Sequence, residues 1–141
     1  MTFSKWAGDD GFAKFVFEKT GCKPFSGAGI NYRSEKSTSL LRSVDDTYYY
    51  NDNLEDVTNV EYTLFGHNGD QNEKESRFNE PLLNTNKTKH VYLYRGTMKD
   101  MKRVWVWYGK YAIVGKFVKE HKGKDYMMRN IIVLKLQRIA F

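Results

Sequence analysis

Residues 90–139 read HVYLYRGTMKDMKRVWVWYGKYAIVGKFVKEHKGKDYMMRNIIVLKLQRI. The alternation in this stretch decides the fold class. Across residues 90–95, Val91 and Leu93 fall on one side and Tyr92 and Tyr94 on the other, the period of two that a strand imposes. Residues 103–120 hold two β runs broken at Tyr108-Gly109-Lys110. Residues 122–125, Lys-Gly-Lys-Asp, read as a hairpin turn. Residues 128–139 read as a last strand with Ile131, Val133 and Leu136 as core candidates.

The stretches before it are more mixed. Residues 4–19 predict a helix in two pieces, capped by Asp9 or Asp10, with Phe12, Phe15 and Val16 as its apolar face and Trp6 anchoring the first piece. Gly21 is placed to end it, with Pro24 shortly after. Residues 25–39 are rich in Gly, Ser and charge and read as a long connection with one extended piece at residues 29–32. Strands are expected over 39–44 and 60–65. A turn is expected at Asn68-Gly69, and a short helix over 77–83 that turns Phe78, Leu82 and Leu83 inward. Several short strands with one or two helices and no βαβ rhythm predict an α+β fold: a curled mixed or antiparallel sheet, closing toward a small β-barrel. Its 141 residues form one domain, 1–141, with 1–23 as an N-terminal helical segment, and no repeat or linker divides it.

Aromatic residues make up 16% of the chain, an excess that needs either a β-rich core or an exposed stacking surface. Residues 1–85 carry 9 Lys/Arg against 14 Asp/Glu, and residues 86–141 carry 14 against 3, together the chain's 23 and 17. A basic, aromatic-studded second part is the footprint of a phosphate-backbone partner; its bland counterpart is a solvated face that keeps the protein soluble. No run of residues reaches membrane-span length, and no signal-peptide pattern opens the chain, so an intracellular protein without membrane partners is expected. Cys22 is the single cysteine, which excludes an internal disulfide. Asn86-Lys87-Thr88 fits a glycosylation acceptor and is discounted for the same reason.

Catalytic chemistry is not evident in the residues. His67, His90 and His121 are scattered without Cys or His partners at ligand spacing, so no metal site is expected, and no glycine-rich phosphate loop or other cofactor motif follows a strand. Asp70, Glu73 and Glu75 would serve as the carboxylates of a metal-dependent nuclease, but adjacent acids on a polar loop are ordinarily a solvated surface. No catalytic residue is assigned.

Residues 50–71, YNDNLEDVTNVEYTLFGHNGDQ, carry the strongest sign of a binding site. Tyr50 and Tyr62 bracket a segment offering Asp52, Asn53 and Thr63. Two aromatic faces with a few short polar tips suit a pocket for one planar, polar ligand such as a nucleobase. The plainer alternative is a hairpin whose tyrosines pack on a β core.

Residues 24–138 resemble the SRA (SET- and RING-associated, or YDG) domain family of modified-cytosine readers. Gly29-Ile30-Asn31-Tyr32-Arg33-Ser34 is similar to the family's "GI..RS", Tyr50-Asn51-Asp52-Asn53 to its "YxDD", and Tyr62-Thr63 with Gly66 and Gly69 to its "YTGxGG". Gly69-Asp70-Gln71 followed by Asn79 and Leu82-Leu83 resembles "DQ…N.AL". Residues 91–95 resemble "VRVxR", and Tyr108-Gly109-Lys110-Tyr111 followed by Val114 resembles "YDGLYxV". The resemblance implies a PUA-like barrel that flips one base from duplex DNA and holds it between Tyr50 and Tyr62, with Thr63, Asp52 and Asn53 at its Watson–Crick edge. It implies DNA contacts at Phe25, Ala28, Arg33, Ser34, His67, Asn68, Arg77 and Lys110. The function implied is binding of 5-methyl- or 5-hydroxymethylcytosine in double-stranded DNA, alone or as the specificity part of a modification-dependent restriction system with a separate nuclease subunit. The alternatives are a modification-dependent nuclease and a PUA-like RNA binder.

The chain also departs from that pattern. Asn53 stands where the family places the second aspartate of "YxDD", and an amide both accepts and donates, which weakens selection against a thymine-like edge. The loop after Tyr62 is short, and Gly27-Ala28 is too small to fill the gap of a flipped base, leaving Phe25 as the substitute.

Overall fold

The computed structural model describes residues 2–7, 11–24, 29–44, 52–66, 70–71, 79–122 and 126–141. In chain order these form β1 (Thr2–Phe3), α1 (Phe12–Thr20), β2 (Ile30–Arg33), a single 3-10 turn (Ser34–Lys36), β3 (Thr38–Val44), β4 (Asn59–Thr63), α2 (Glu80–Leu83), β5 (His90–Lys99), β6 (Lys102–Lys122) and β7 (Met128–Ala140). The strands make one seven-stranded sheet in the order β2-β3-β5-β6-β7-β4, with β1 added beside β6. All pairs are antiparallel except β3–β5, which runs parallel and sets Ser43 against Arg95 and Val44 against Gly96. The sheet is the curled, mixed one the sequence predicts.

The alternation of side chains gives the sheet two apolar surfaces. Val91 and Leu93 of β5 join Leu41, Val60, Tyr62, Tyr111, Leu134 and Leu136 in an inner core. Tyr94 joins Leu40, Trp105, Trp107, Phe12, Val16 and Cys22 in a second, with Tyr92 and Trp6 packed against it. The strand period read from residues 90–95 therefore separates two real clusters. Helix α1 covers the second cluster and stops at Gly21, which adopts the left-handed conformation (φ 75°) and returns its N–H to the Phe17 carbonyl.

Curling brings the ends of the strand order together. The Tyr62 hydroxyl, on β4, lies 3.1 Å from the carbonyls of Gly29 and Arg42 on the β2–β3 side. One phenol thus spans the seam of a half-barrel.

Three expectations are corrected. The N-terminal stretch is a short strand followed by one helix beginning at Phe12, instead of a helix in two pieces. Its N-cap position is Gly11, which makes no side-chain cap bond; Asp9 and Asp10 lie outside the described residues. Second, residues 102–122 form a single strand. The expected break at residues 108–110 is a register shift between Lys110 and Tyr111. Gly109 is required there, because it has φ 116° and a Cβ would collide with the Ala140 carbonyl oxygen. Third, the short helix comprises Glu80–Leu83, and within the expected span residues 77 and 78 lie outside the described residues, as does the turn at 123–125.

Candidate nucleic-acid interface

Asp52 sits where the ends of two strands meet across the seam. Ser43, one residue from the end of β3, donates its hydroxyl to Oδ2 at 2.7 Å, and the backbone N–H of Thr63, the last residue of β4, donates to Oδ1 at 2.6 Å. Burial pushes the carboxyl up to about 6, against the opposing pull of the Thr63 and Ser43 bonds and of the Arg95 guanidinium. Such a group accepts a proton-bearing edge when ionised and donates to a carbonyl when protonated. A carboxyl shifted this far by enclosure, at the rim of a sheet, is the kind of group that binding sites contain more often than surfaces do.

Thr63, which bonds this carboxyl, and Tyr62, which precedes it on β4, are both 3% exposed. Tyr62 belongs to the inner core and its hydroxyl is engaged at the seam. Tyr50, its expected stacking partner, lies outside the described residues. Asn53 is exposed. Its backbone pairs with Glu61, and its Oδ1 accepts the Glu55 N–H at 3.0 Å in a local turn. The two adjacent residues therefore differ: the amide is spent on the chain that follows it, and the acid reaches across the seam.

The remaining expected contacts scatter. Phe25, Ala28, His67, Asn68 and Arg77 lie outside the described residues. The guanidinium of Arg33 donates from Nε to the Lys23 carbonyl at 3.1 Å, tying β2 to the segment after α1, and Ser34 is exposed at the following turn. Lys110 pairs with Tyr92, with its Nζ 5.8 Å from that ring's centroid, so it lies on the α1-covered side of the sheet.

The Asp70-Gln71…Asn79 pattern has a structural use. Gln71 accepts the Ile132 N–H and donates to the Leu64 and Gly66 carbonyls, Asp70 accepts the Asn130 N–H, and Asn79 both accepts from and donates to the Phe65 backbone. Side-chain amides here replace the ladder that β4 abandons at Thr63, locking the chain beyond the Asp52 site onto β7. Among the described residues, no group of three or more His, Cys, Asp and Glu is placed to hold a metal ion.

Sequence reasoning missed Ser43 and Arg95. Their signal was the shared register of β3 and β5, a parallel pairing that alternation alone does not reveal. One cation lies on the same face of the sheet as Thr63, two residues along β7: Lys135, which pairs with Glu61. Across β4, β7 and β6, Thr63 pairs with Val133 and Val133 with Phe117, and Lys135 reaches over the Phe117 ring at 5.5 Å.

No family model matches this sequence, and no curated protein matches it. Solved structures do share its fold. The SRA domain of SUVH5, in complex with fully methylated CG DNA, matches with a TM-score of 0.58 at 24% identity over 89% of this chain and 83% of that one. KRYPTONITE, in complex with mCHH DNA, a histone H3 peptide and SAH, matches with a TM-score of 0.63 at 19% identity over 99% of this chain. The restriction endonuclease MspJI, in complex with a 27-mer oligonucleotide, matches with a TM-score of 0.64 at 14% identity over 84% of this chain. This chain spans 31% of the KRYPTONITE chain and 34% of the MspJI chain, about a third of each.

Proposed function

We propose that this chain, which has the fold of an SRA domain, is a reader of modified DNA that extrudes one base and inspects its Watson–Crick edge at Asp52. The observation that carries this reading is the Asp52 carboxyl itself, held by Ser43 and the Thr63 N–H at the seam and raised to about 6 by burial. The ionised form accepts from the exocyclic amino group of a 5-methyl- or 5-hydroxymethylcytosine, a charge-assisted bond stronger than a neutral one. Tyr50 and Tyr62 supply the stacking faces. Tyr62 is 3% exposed in the free chain, so stacking on it requires its neighbours to part. Extrusion costs a few kcal/mol, and stacking returns about 1–3 kcal/mol per base.

The role is that of a binding module, working alone or as the specificity part of a modification-dependent restriction system. Its fold neighbours include complexes with methylated DNA and restriction endonucleases, which supports this reading. Of the acids that a nuclease reading would use, Asp70 accepts the Asn130 N–H at 2.8 Å, and Glu73 and Glu75 lie outside the described residues.

The test is a duplex with 2-aminopurine beside a 5-methylcytosine. Binding should brighten the probe, and an otherwise identical unmodified duplex should leave it dim. Equal brightening, or tighter binding to single-stranded RNA than to the modified duplex, rejects the reading.

A further inference from the structure

The hairpin joining β5 to β6 is built in a way its own stability does not explain. Lys99 and Lys102 close it, and Asp100 and Met101 between them both have left-handed backbones, φ 51° and 63°. That is the two-residue turn suited to Asn-Gly or Asp-Gly. Methionine at the second position is disfavoured by the backbone and by water, for Met101 is 94% exposed. Met98, one residue before the turn's closing pair, is 56% exposed.

The hairpin leaves the sheet at the end where Asp52 is held. The parallel register places Ser43 beside Arg95 and ends β3 at Val44, opposite Gly96, while β5 continues to Lys99. Alternation returns Arg95, Thr97 and Lys99 to the side on which Ser43 meets Asp52. From Arg95 to Lys99 is four residues, roughly 13 Å at about 3.3 Å per residue. Along a DNA strand that distance is about four nucleotides at roughly 3.4 Å each. The tip therefore offers two ammonium groups, Lys99 and Lys102, suited to phosphates, around an unbranched apolar side chain. Such a side chain packs against thymine methyls and sugar edges in a groove.

We propose that the β5–β6 hairpin is a second duplex contact, in which Met101 enters a groove about four base pairs from the extruded base and Lys99 and Lys102 hold the flanking phosphates. This inference rests on the base-reading function above and adds a footprint to it. The experiment compares the native chain with a variant carrying Asp100→Asn and Met101→Gly, a pair that suits both left-handed positions and should leave the melting temperature unchanged or higher. Each protein is titrated with 5-methylcytosine duplexes having eight or two base pairs on either flank.

The native chain should lose about tenfold in affinity when one particular flank is cut to two base pairs. The variant, which keeps Lys99 and Lys102, should bind the long duplex more weakly than the native chain and should lose less affinity than the native chain when that flank is cut. Equal affinities of the two proteins for the long duplex, or the same loss on shortening in both, overturns the hairpin contact. Either result, obtained with the native preference for modified over unmodified duplex intact, leaves the base-reading function standing. Loss of that preference in the native chain is instead the failure of base reading.

Discussion

The carboxylate of Asp52 accepts the backbone N–H of Thr63 at 2.6 Å, which joins the chain entering β4 to the residue that ends it. Asp52→Ala removes the acceptor and leaves that N–H and the Ser43 hydroxyl without their partner. A lost partner for enclosed donors costs about 1–3 kcal/mol. Asp52→Asn keeps an acceptor for the N–H and presents its NH2 to the Ser43 oxygen, so at pH 4, where the native carboxyl is also neutral, it should unfold close to the native midpoint. Urea unfolding of both variants measures the difference, and equal destabilisation would show that the two bonds do not hold the seam.

The same carboxyl predicts a pH dependence. Its folded value of about 6 lies above its unfolded value of 3.8, so the folded state binds the proton more tightly. The stability this contributes is fully present below about 3.8 and is lost as pH rises through about 6, a change of up to about 3 kcal/mol. Asp52→Asn abolishes that slope, so its stability relative to the native chain should rise between pH 4 and pH 7. Binding should move the other way. Preference for a cytosine edge over a uracil edge should weaken as pH falls below about 6 in the native chain and stay flat in the variant.

Tyr62→Phe separates the two roles of that residue. Loss of the hydroxyl near the Gly29 and Arg42 carbonyls should lower stability by about 0.5–1.5 kcal/mol. The ring remains, so affinity for modified DNA measured well below the melting temperature should hold within about twofold, as stacking depends on the π face. A tenfold loss of affinity in a folded Tyr62→Phe protein would mean that the hydroxyl itself touches the ligand.

The basic second part of the chain was legible from charge alone, but not which side of the sheet each cation occupies. Lys110 rests over Tyr92 on the α1-covered side, whereas Lys135 lies over Phe117 on the face that carries Thr63. Lys135→Gln should therefore reduce the slope of log affinity against log salt by about one, and Lys110→Gln by much less. A larger effect from Lys110 would place the duplex on the α1 side.

These placements mark where sequence reasoning stopped. Alternation at residues 90–95 gave both cores, since a period of two leaves Val91 and Tyr92 no choice of side once the strand forms. Glycine at residue 21 ended α1 because a left-handed carbonyl cap needs it. The site was legible only as a neighbourhood. Residues 52 and 53 are both short and polar, and which of them reaches the seam depends on Ser43, a residue brought there by a parallel pairing between strands far apart in sequence. Asp70, Gln71 and Asn79 likewise matched a family motif whose use the sequence did not reveal, and their side chains complete the sheet. Local pattern does not distinguish a side chain that binds a ligand from one that binds the backbone.

The most direct measurement is equilibrium binding to five duplexes identical except at one base: cytosine, 5-methylcytosine, 5-hydroxymethylcytosine, thymine and 5-hydroxymethyluracil. The native chain at pH 7.5 should favour one or both modified cytosines over cytosine and over the uracil-type bases by about tenfold or more, the equivalent of roughly 1.4 kcal/mol. Asp52→Asn, still folded, should lose the discrimination between the cytosine and uracil edges. Equal affinity of the native chain for all five duplexes, or an unchanged cytosine-to-uracil preference in Asp52→Asn, contradicts a pocket read at Asp52.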